Sequence, residues 1–128
     1  MRKAFLLLCF FITFSFSFEI KELKNINEIE ENKNTFLIFS TTYCPWCAKQ
    51  KRVLEEIDIV KDDLQMFYVN DSSDMYKELL KKYSFSIKFF PTSYIVVKEE
   101  DELQILYEFQ GYQKKSNILK VLNDEDSF

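Results

Sequence analysis

The sequence predicts an α/β protein in which a central mixed β-sheet is flanked by helices on both faces. Short apolar runs of strand character alternate with segments whose apolar residues recur at helical spacing. Two strand-like segments near the carboxyl end are separated only by an acidic turn, which is typical of a β-hairpin. The predicted order α-β-α-β-α-β-β-α combines alternating units with a hairpin, and therefore implies a mixed sheet.

Each predicted element follows from a local pattern. Apolar residues recur at every third position over 20–29 with charged residues between them, which favours an amphipathic helix, either alone or after a very short strand. Val53, Leu54 and Ile57 are spaced to bury one face of the next helix. The predicted elements are a helix over 19–34, a strand over 35–40, a helix over 45–59, a strand over 64–69, a helix over 74–83, strands over 93–97 and 103–109 joined by a turn over 98–102, and a helix over 114–122.

The first 17 residues have the pattern of a secretory signal. Arg2 and Lys3 precede an apolar run over 4–14, and Ser15 and Ser17 place small residues at the −3 and −1 positions of a cleavage site. We expect cleavage after Ser17, export to a periplasm, and a single domain over 18–128. The alternative is an uncleaved anchor, although the apolar stretch is shorter than the roughly 20 residues that span a bilayer.

Charge and cysteine content narrow the class of protein. Without Arg2 and Lys3, 15 of the 17 basic residues remain against 21 acidic ones, a net charge of −6, so nucleic acid is not an expected partner. Cys9 lies within the predicted signal, which leaves two cysteines and no separate disulfide framework.

The motif Cys44-Pro45-Trp46-Cys47 lies where a predicted strand meets a predicted helix. Proline is favoured at the first helical position, because its missing N–H would have no partner there. Cys44 then lies at the helix cap and Cys47 one turn in. Unpaired N–H groups and the helix dipole favour the thiolate at such a cap. We expect Cys44 to be the nucleophile and Cys47 the resolving thiol.

This pair predicts a dithiol-disulfide cycle with no cofactor besides the Cys44–Cys47 disulfide. Cys44 attacks a substrate disulfide, and Cys47 then displaces the substrate from the mixed disulfide; the reverse sequence oxidises a dithiol. A purely structural disulfide is an alternative, although so small a ring removes little loop entropy. A structural zinc site is disfavoured because it takes four ligands and the chain has no histidine.

Three features in this order resemble the thioredoxin family over nearly the whole chain after residue 17: the Cys-Pro-Trp-Cys motif after the first long strand, Phe90-Pro91-Thr92 before a later strand, and Gly111 before the last helix. The resemblance implies a thioredoxin fold and a cis Pro91 that packs against the active-site disulfide. It also implies that the backbone of Phe90 hydrogen-bonds an extended substrate. The residues expected to contact substrate are Tyr43, Pro45, Trp46, Phe90, Pro91 and Thr92.

Two groups of side chains near the motif have alternative interpretations. Tyr43, Trp46 and Phe90 fit either plain apolar packing or an exposed patch that grips substrate. The basic residues of the same helix could support the thiolate electrostatically or form a solvated face; they are Lys49, Lys51 and Arg52.

The sequence also departs from the family pattern. Ile38 stands six residues before Cys44, where thioredoxin-like reductases often keep a buried acid that takes the proton of the resolving thiol, so the proton acceptor for Cys47 is not evident. Tyr43 replaces the usual tryptophan, and Pro45-Trp46 replaces the usual Gly-Pro, a pair that tunes the redox potential in this family. Trp46 lacks the positive charge of a histidine there, which favours a reductase over a strong oxidant.

We therefore expect an exported, monomeric thiol-disulfide oxidoreductase that reduces protein disulfides with electrons from a membrane thiol reductase. One alternative is a periplasmic thiol oxidase or isomerase. The other is a redox-silent binding module or chaperone that keeps the fold.

Overall fold

The computed structural model describes residues 19–60 and 63–124, and the predicted signal over 1–17 lies outside this part of the chain. The described residues contain a five-stranded sheet and three α-helices. In chain order these are β1 (Lys21–Glu22), β2 (Thr35–Ser40), α1 (Pro45–Val60), β3 (Gln65–Asn70), α2 (Asp74–Lys82), β4 (Thr92–Glu99), β5 (Glu102–Gln110) and α3 (Lys115–Asn123).

The sheet is mixed, as predicted. The strands lie in the order β1-β3-β2-β4-β5. β3 pairs in parallel with β1 and β2, whereas β4 pairs antiparallel to β2 and β5. β2 is therefore the central strand, and the chain leaves its carboxyl end directly towards the cysteine motif.

Side chains of β2 alternate between two core clusters, one on each face of the sheet. Phe36 and Ile38 face α1 and α3, while Leu37 and Phe39 face α2. All four side chains are fully buried. The helix residues that cover the two faces are Leu54, Ile57 and Ile118 on the first and Met75 and Leu79 on the second.

The helix predicted over 19–34 is wrong, whereas the very short strand that was one predicted beginning of this segment is present. In its place are the short strand β1 and a three-residue 3-10 helix, Ile26–Glu28. β1 extends the sheet next to β3, and the backbone N–H of Leu23 donates to the carbonyl of Tyr68 at 2.9 Å. This segment therefore forms a sheet edge instead of an amphipathic helix.

Burial on both faces of the sheet explains the misleading pattern. Ile20 packs in the cluster beneath α1, whereas Leu23 and Ile29 pack in the cluster on the α2 face. The regularly spaced apolar residues are thus buried on two faces of a sheet edge and not on one face of a helix. Asn25 then caps the 3-10 helix, with its side chain accepting the N–H of Asn27 at 2.9 Å.

The hairpin prediction is confirmed, but its turn is shorter than the predicted 98–102. Only Glu100 and Asp101 lie outside the strands, with φ of 53° and 62°, as the tight two-residue turns that match strand twist require. The carboxylate of Glu31 accepts both of their N–H groups, at 3.1 and 3.3 Å. This contact from 69 residues away in sequence fixes the turn. The other predicted helices and strands are confirmed, with end shifts of at most one residue except at β4.

Candidate active site

The cysteine motif lies at the start of α1, where β2 ends. Cys44 immediately precedes the helix, Pro45 is its first residue, and Cys44 forms a disulfide with Cys47 with Cα atoms 5.2 Å apart. Cys44 is partly exposed, whereas Cys47 is 2% exposed. An approaching molecule can therefore reach the first sulfur but hardly the second.

The helix start supplies a hydrogen-bond donor to the sulfur of Cys44. The backbone N–H of Cys47 points at the Sγ of Cys44, 3.1 Å away. In the reduced protein, this N–H and the positive end of the helix dipole would stabilise negative charge on Cys44. The arrangement suits a nucleophilic thiolate at Cys44 with a second thiol directly behind it.

A cis proline loop lies beside the disulfide. The Phe90–Pro91 peptide bond is cis, as the resemblance implies, and the carbonyl oxygen of Phe90 lies 4.0 Å from the Sγ of Cys44. The hydroxyl of Thr92, a buried residue, donates to the carbonyl of Phe89 at 2.7 Å and so braces the loop. Of the predicted contact residues, Phe90 is thus placed next to Cys44, while Thr92 acts on the loop itself.

Exposed aromatic residues flank the cysteine motif and the cis proline loop along the chain. Tyr43, just before Cys44, is 99% exposed, so it is not packed in the core. Trp46 is 53% exposed, and its ring lies 5.3 Å from that of Tyr112. Phe89 is also exposed. Sequence reasoning missed Phe89 and Tyr112, although each is an aromatic residue directly beside a motif position.

The basic residues of α1 differ in their surroundings. Lys49 is exposed and lies over the Trp46 ring, with Nζ 4.6 Å from the ring centre. Lys51 is half-buried over the Tyr68 ring at 3.8 Å. Arg52 is exposed. Burial lowers the pKa of Lys51 from its ordinary value, and the nearby negative charge of Glu22 opposes this shift.

The position at which the family pattern has a buried acid is apolar in this chain. Ile38 is fully buried, and within 19–60 and 63–124 no Asp or Glu is buried. The hydroxyl oxygens of Ser40 and Ser93 are buried without a hydrogen-bond partner in the same part of the chain. Both lie on the sheet face of Ile38, since Ser40 is two residues further along β2 and Ser93 pairs with Ile38.

Neither a metal cluster nor a membrane helix is found in the described ranges. They contain no group of three or more His, Cys, Asp or Glu residues placed to hold a metal ion. None of their helices has the length and apolar character needed to cross a membrane.

Comparison with known families and sequences identifies relatives of the redox-active region. The glutaredoxin family model matches residues 36–100, slightly more than half of the chain. An uncharacterized monothiol glutaredoxin from Caenorhabditis elegans is 34% identical over 65 residues, which cover 49% of this chain and 42% of that protein. The chain thus spans less than half the length of this curated relative.

Solved structures confirm the fold prediction. An uncharacterized thioredoxin-like protein from Clostridium perfringens has a TM-score of 0.67 at 24% identity, covering 91% of this chain and 89% of its own. Thioredoxin from Trichomonas vaginalis has a TM-score of 0.60 at 21% identity, with 85% and 96% covered. At these identities the similarity establishes the thioredoxin fold.

Proposed function

The chain belongs to the glutaredoxin family, and we propose that it is a thiol-disulfide oxidoreductase that reduces protein disulfides through Cys44 and Cys47. The observation that carries the proposal is the asymmetry of the pair. Cys44 is partly exposed at the start of α1 with an N–H aimed at its sulfur, and Cys47 is buried behind it. A nucleophile and a resolving thiol require this difference in access.

The proposed cycle moves two electrons from the cysteine pair to the substrate. The Cys44 thiolate attacks one sulfur of a substrate disulfide, and the other substrate sulfur leaves as a thiolate that takes a proton from water. The Cys47 thiolate then attacks the Sγ of Cys44, which releases the second substrate thiolate. The Cys44–Cys47 disulfide that results needs no further cofactor, and it matches the oxidised state seen in the structure.

Substrate would bind along the cis proline loop and the exposed aromatic rings. The carbonyl of Phe90 lies beside Cys44, where it could accept a hydrogen bond from an extended substrate backbone. Tyr43 directly before Cys44 and Trp46 two residues after it offer exposed apolar area. Pro45 and Pro91 complete the proposed contact set, whereas Thr92 is buried and acts by bracing the loop.

A pair of matched cysteine variants tests this function. The reduced protein should catalyse reduction of insulin by dithiothreitol, and Cys44→Ser should abolish catalysis because the nucleophile is lost. Cys47→Ser is the same substitution three residues further on, and it should instead accumulate a mixed disulfide with substrate. Circular dichroism of both variants checks that the fold is retained.

A protein that forms and loses its disulfide reversibly but never turns over insulin would contradict the proposal. The alternative binding module would then be supported if the double variant Cys44→Ala, Cys47→Ala still bound a client. Equal trapping by Cys44→Ser and Cys47→Ser would also contradict the assigned roles.

The proposal extends to an exported monomer supplied with electrons by a membrane thiol reductase. Export is the part with support in the sequence, which is the basic and apolar pattern of the first 17 residues. Expression with the native amino terminus in a bacterium with two membranes, followed by mass spectrometry, should give a mature protein that begins at Phe18. Retention of Met1 in a cytoplasmic fraction would rule out this part of the proposal.

A further inference from the structure

A groove beside the disulfide contains one basic side chain. Its lining includes both cysteines, Lys51 of α1, and Tyr68 and Asn70 of β3. Cys47 and Lys51 are four residues apart on the helix, so they lie on the same face with Cβ atoms about 5–6 Å apart. Cys47 and the side chain of Lys51 therefore line the same solvent-accessible groove.

Contacts with the sheet edge hold this ammonium group in place. The Nζ of Lys51 lies 3.8 Å from the centre of the Tyr68 ring, a cation–π contact. The Tyr68 hydroxyl donates to the Oε2 of Glu22 at 3.4 Å. In the described ranges, Lys51 forms no ion pair, so no carboxylate in contact with Nζ neutralises its charge.

The other basic residues of this helix are placed differently. Lys49 lies over Trp46 on the outer side of the helix and is exposed, as is Arg52. Neither of them lines the groove, whereas Lys51 does. The structure thus separates Lys51 from two residues that the sequence could not distinguish from it.

Cys47 needs a group of this kind. The residue is 2% exposed, and ionisation of a buried thiol is disfavoured unless a positive charge or a hydrogen-bond donor compensates. Ile38, which stands where the family pattern has a buried acid, is apolar and fully buried. Among the described residues, Lys51 is the cation that shares a groove with Cys47.

We propose that Lys51 is a positioning residue that favours ionisation of Cys47 in the reduced protein and in the mixed disulfide. The inference rests on the proposed oxidoreductase function. It concerns the second step of that cycle, in which Cys47 attacks the mixed disulfide. Cys47 gives its proton to water in the groove, and its thiolate, stabilised by the ammonium group, attacks the Sγ of Cys44. The released substrate thiolate accepts a proton from water, so charge and protons balance.

Within 19–60 and 63–124, tyrosines and glutamates are the other titratable groups placed around Lys51. Tyr68 of β3 and Glu22 of β1 face it from the sheet, and Tyr43 lines the groove from the loop before Cys44. Glu55 lies one turn further along α1. Among these, Glu22 is the group that opposes the effect of burial on the pKa of Lys51.

Redox equilibrium with glutathione measures the effect of this charge. We expect Lys51→Gln to shift the ratio of reduced to oxidised protein about tenfold towards the disulfide, because the thiolate of the reduced form loses its cation. A tenfold change corresponds to about 30 mV, here towards a more reducing potential. Lys49→Gln removes the same charge two residues away and should shift the ratio less than twofold. Lys51→Arg keeps the positive charge and should therefore keep the ratio of reduced to oxidised protein close to that of the unmodified protein.

A second measurement reports on Cys47 alone. In a Cys44→Ser background, the ultraviolet absorbance of the thiolate followed against pH gives the ionisation of Cys47. Lys51→Gln should raise the pKa of Cys47, whereas Lys49→Gln should leave it unchanged. Thermal unfolding of each variant checks that the fold persists, since a purely structural role would lower stability without changing either thiol property.

Equal shifts for Lys51→Gln and Lys49→Gln, or no shift for Lys51→Gln, would overturn the inference. Either result would leave the proposed function intact if the unmodified protein still reduces insulin. If the unmodified protein does not reduce insulin but Lys51→Gln still shifts the ionisation of Cys47, the proposed function is refuted. The electrostatic effect of Lys51 on Cys47 is then still supported.

Discussion

Gln50 and Gln113 form two reciprocal hydrogen bonds that join α1 to the loop before α3. The side-chain Nε2 of Gln50 donates to the carbonyl of Gln113 at 3.1 Å, and the N–H of Gln113 donates to the Oε1 of Gln50 at 2.7 Å. Gln50 is fully buried, so these two groups of Gln113 substitute for water. The same loop carries Tyr112, whose ring packs against Trp46. The core of α1 is thereby connected to the surface beside the disulfide.

Replacement of this buried amide should be costly. Gln50→Leu leaves one backbone N–H and one carbonyl unpaired, each at a cost of about 1–3 kcal/mol, so we expect the free energy of unfolding to fall by about 2–4 kcal/mol. Urea denaturation measures the change. Gln104→Leu is the matched control, since Gln104 is exposed on β5 and its loss should change stability by less than about 0.5 kcal/mol. Similar losses of unfolding free energy for the two variants would show that the reciprocal hydrogen bonds do not stabilise the fold.

Tyr112 should contribute to binding of protein substrates without taking part in the chemistry. Tyr112→Ala removes the ring that supports Trp46, and an aromatic contact of this type contributes about 0.5–1.5 kcal/mol. We expect the KM for insulin to rise roughly 2–10-fold, while the rate with a small soluble disulfide stays unchanged. Ile59→Ala removes an exposed apolar side chain towards the far end of α1 and serves as control. A drop in the rate with both substrates would place Tyr112 in the chemistry instead.

Two substitutions on α1 test the packing of this helix against the sheet. Leu54 is fully buried between α1 and the sheet, so Leu54→Ala should lower the free energy of unfolding by about 2–5 kcal/mol through lost burial and a cavity. Ile59 is 80% exposed on the same helix, and Ile59→Ala should cost far less. Both values come from urea denaturation, and a cost below about 1 kcal/mol for Leu54→Ala would be inconsistent with this packing.

Alkaline pH should weaken the fold through Tyr94. Its hydroxyl accepts the N–H of Ser86 and donates to the carbonyl of Ser86, both at 3.0 Å. Burial is the main cause that raises the pKa of Tyr94 above its ordinary value of 10.0, against the opposing effect of the Ser86 hydrogen bond. The folded state therefore holds the proton more tightly than the unfolded state. The stability that this provides is complete below pH 10.0 and is lost as pH rises through the higher pKa of the folded state.

Comparison of Tyr94→Phe with the unmodified protein isolates this contribution. At neutral pH we expect Tyr94→Phe to cost about 1–3 kcal/mol, because the N–H and carbonyl of Ser86 lose their partner. Above pH 10.0, the unmodified protein should lose stability more steeply than the variant does. Tyr68 and Tyr76 remain in both proteins and contribute equally, since burial also raises the pKa of each. Parallel pH profiles for the two proteins would exclude Tyr94 as a source of alkaline unfolding.

Local signals in the sequence were sufficient for most of the fold. The run of buried residues in Thr35–Ser40, the proline at the first position of α1, and the acidic segment between β4 and β5 each depend on neighbours within a few residues. The position of Cys44 at a helix start follows from the same local rules. The segment over 19–34 was mispredicted because its apolar spacing fits a helix as well as two faces of a sheet edge, and only pairing with β3 distinguishes them.

The sequence by itself determined the α/β class, the central buried strand and the placement of two cysteines where a strand gives way to a helix. The tertiary structure decided which lysine shares a groove with Cys47, that Gln50 and Gln113 pair, and that Tyr112 lies against Trp46. The physical reason is the range of the interactions. Helix starts, turns and strand patterns arise from residues close in the chain, whereas a partner 63 residues away becomes a neighbour only when the sheet and helices pack together.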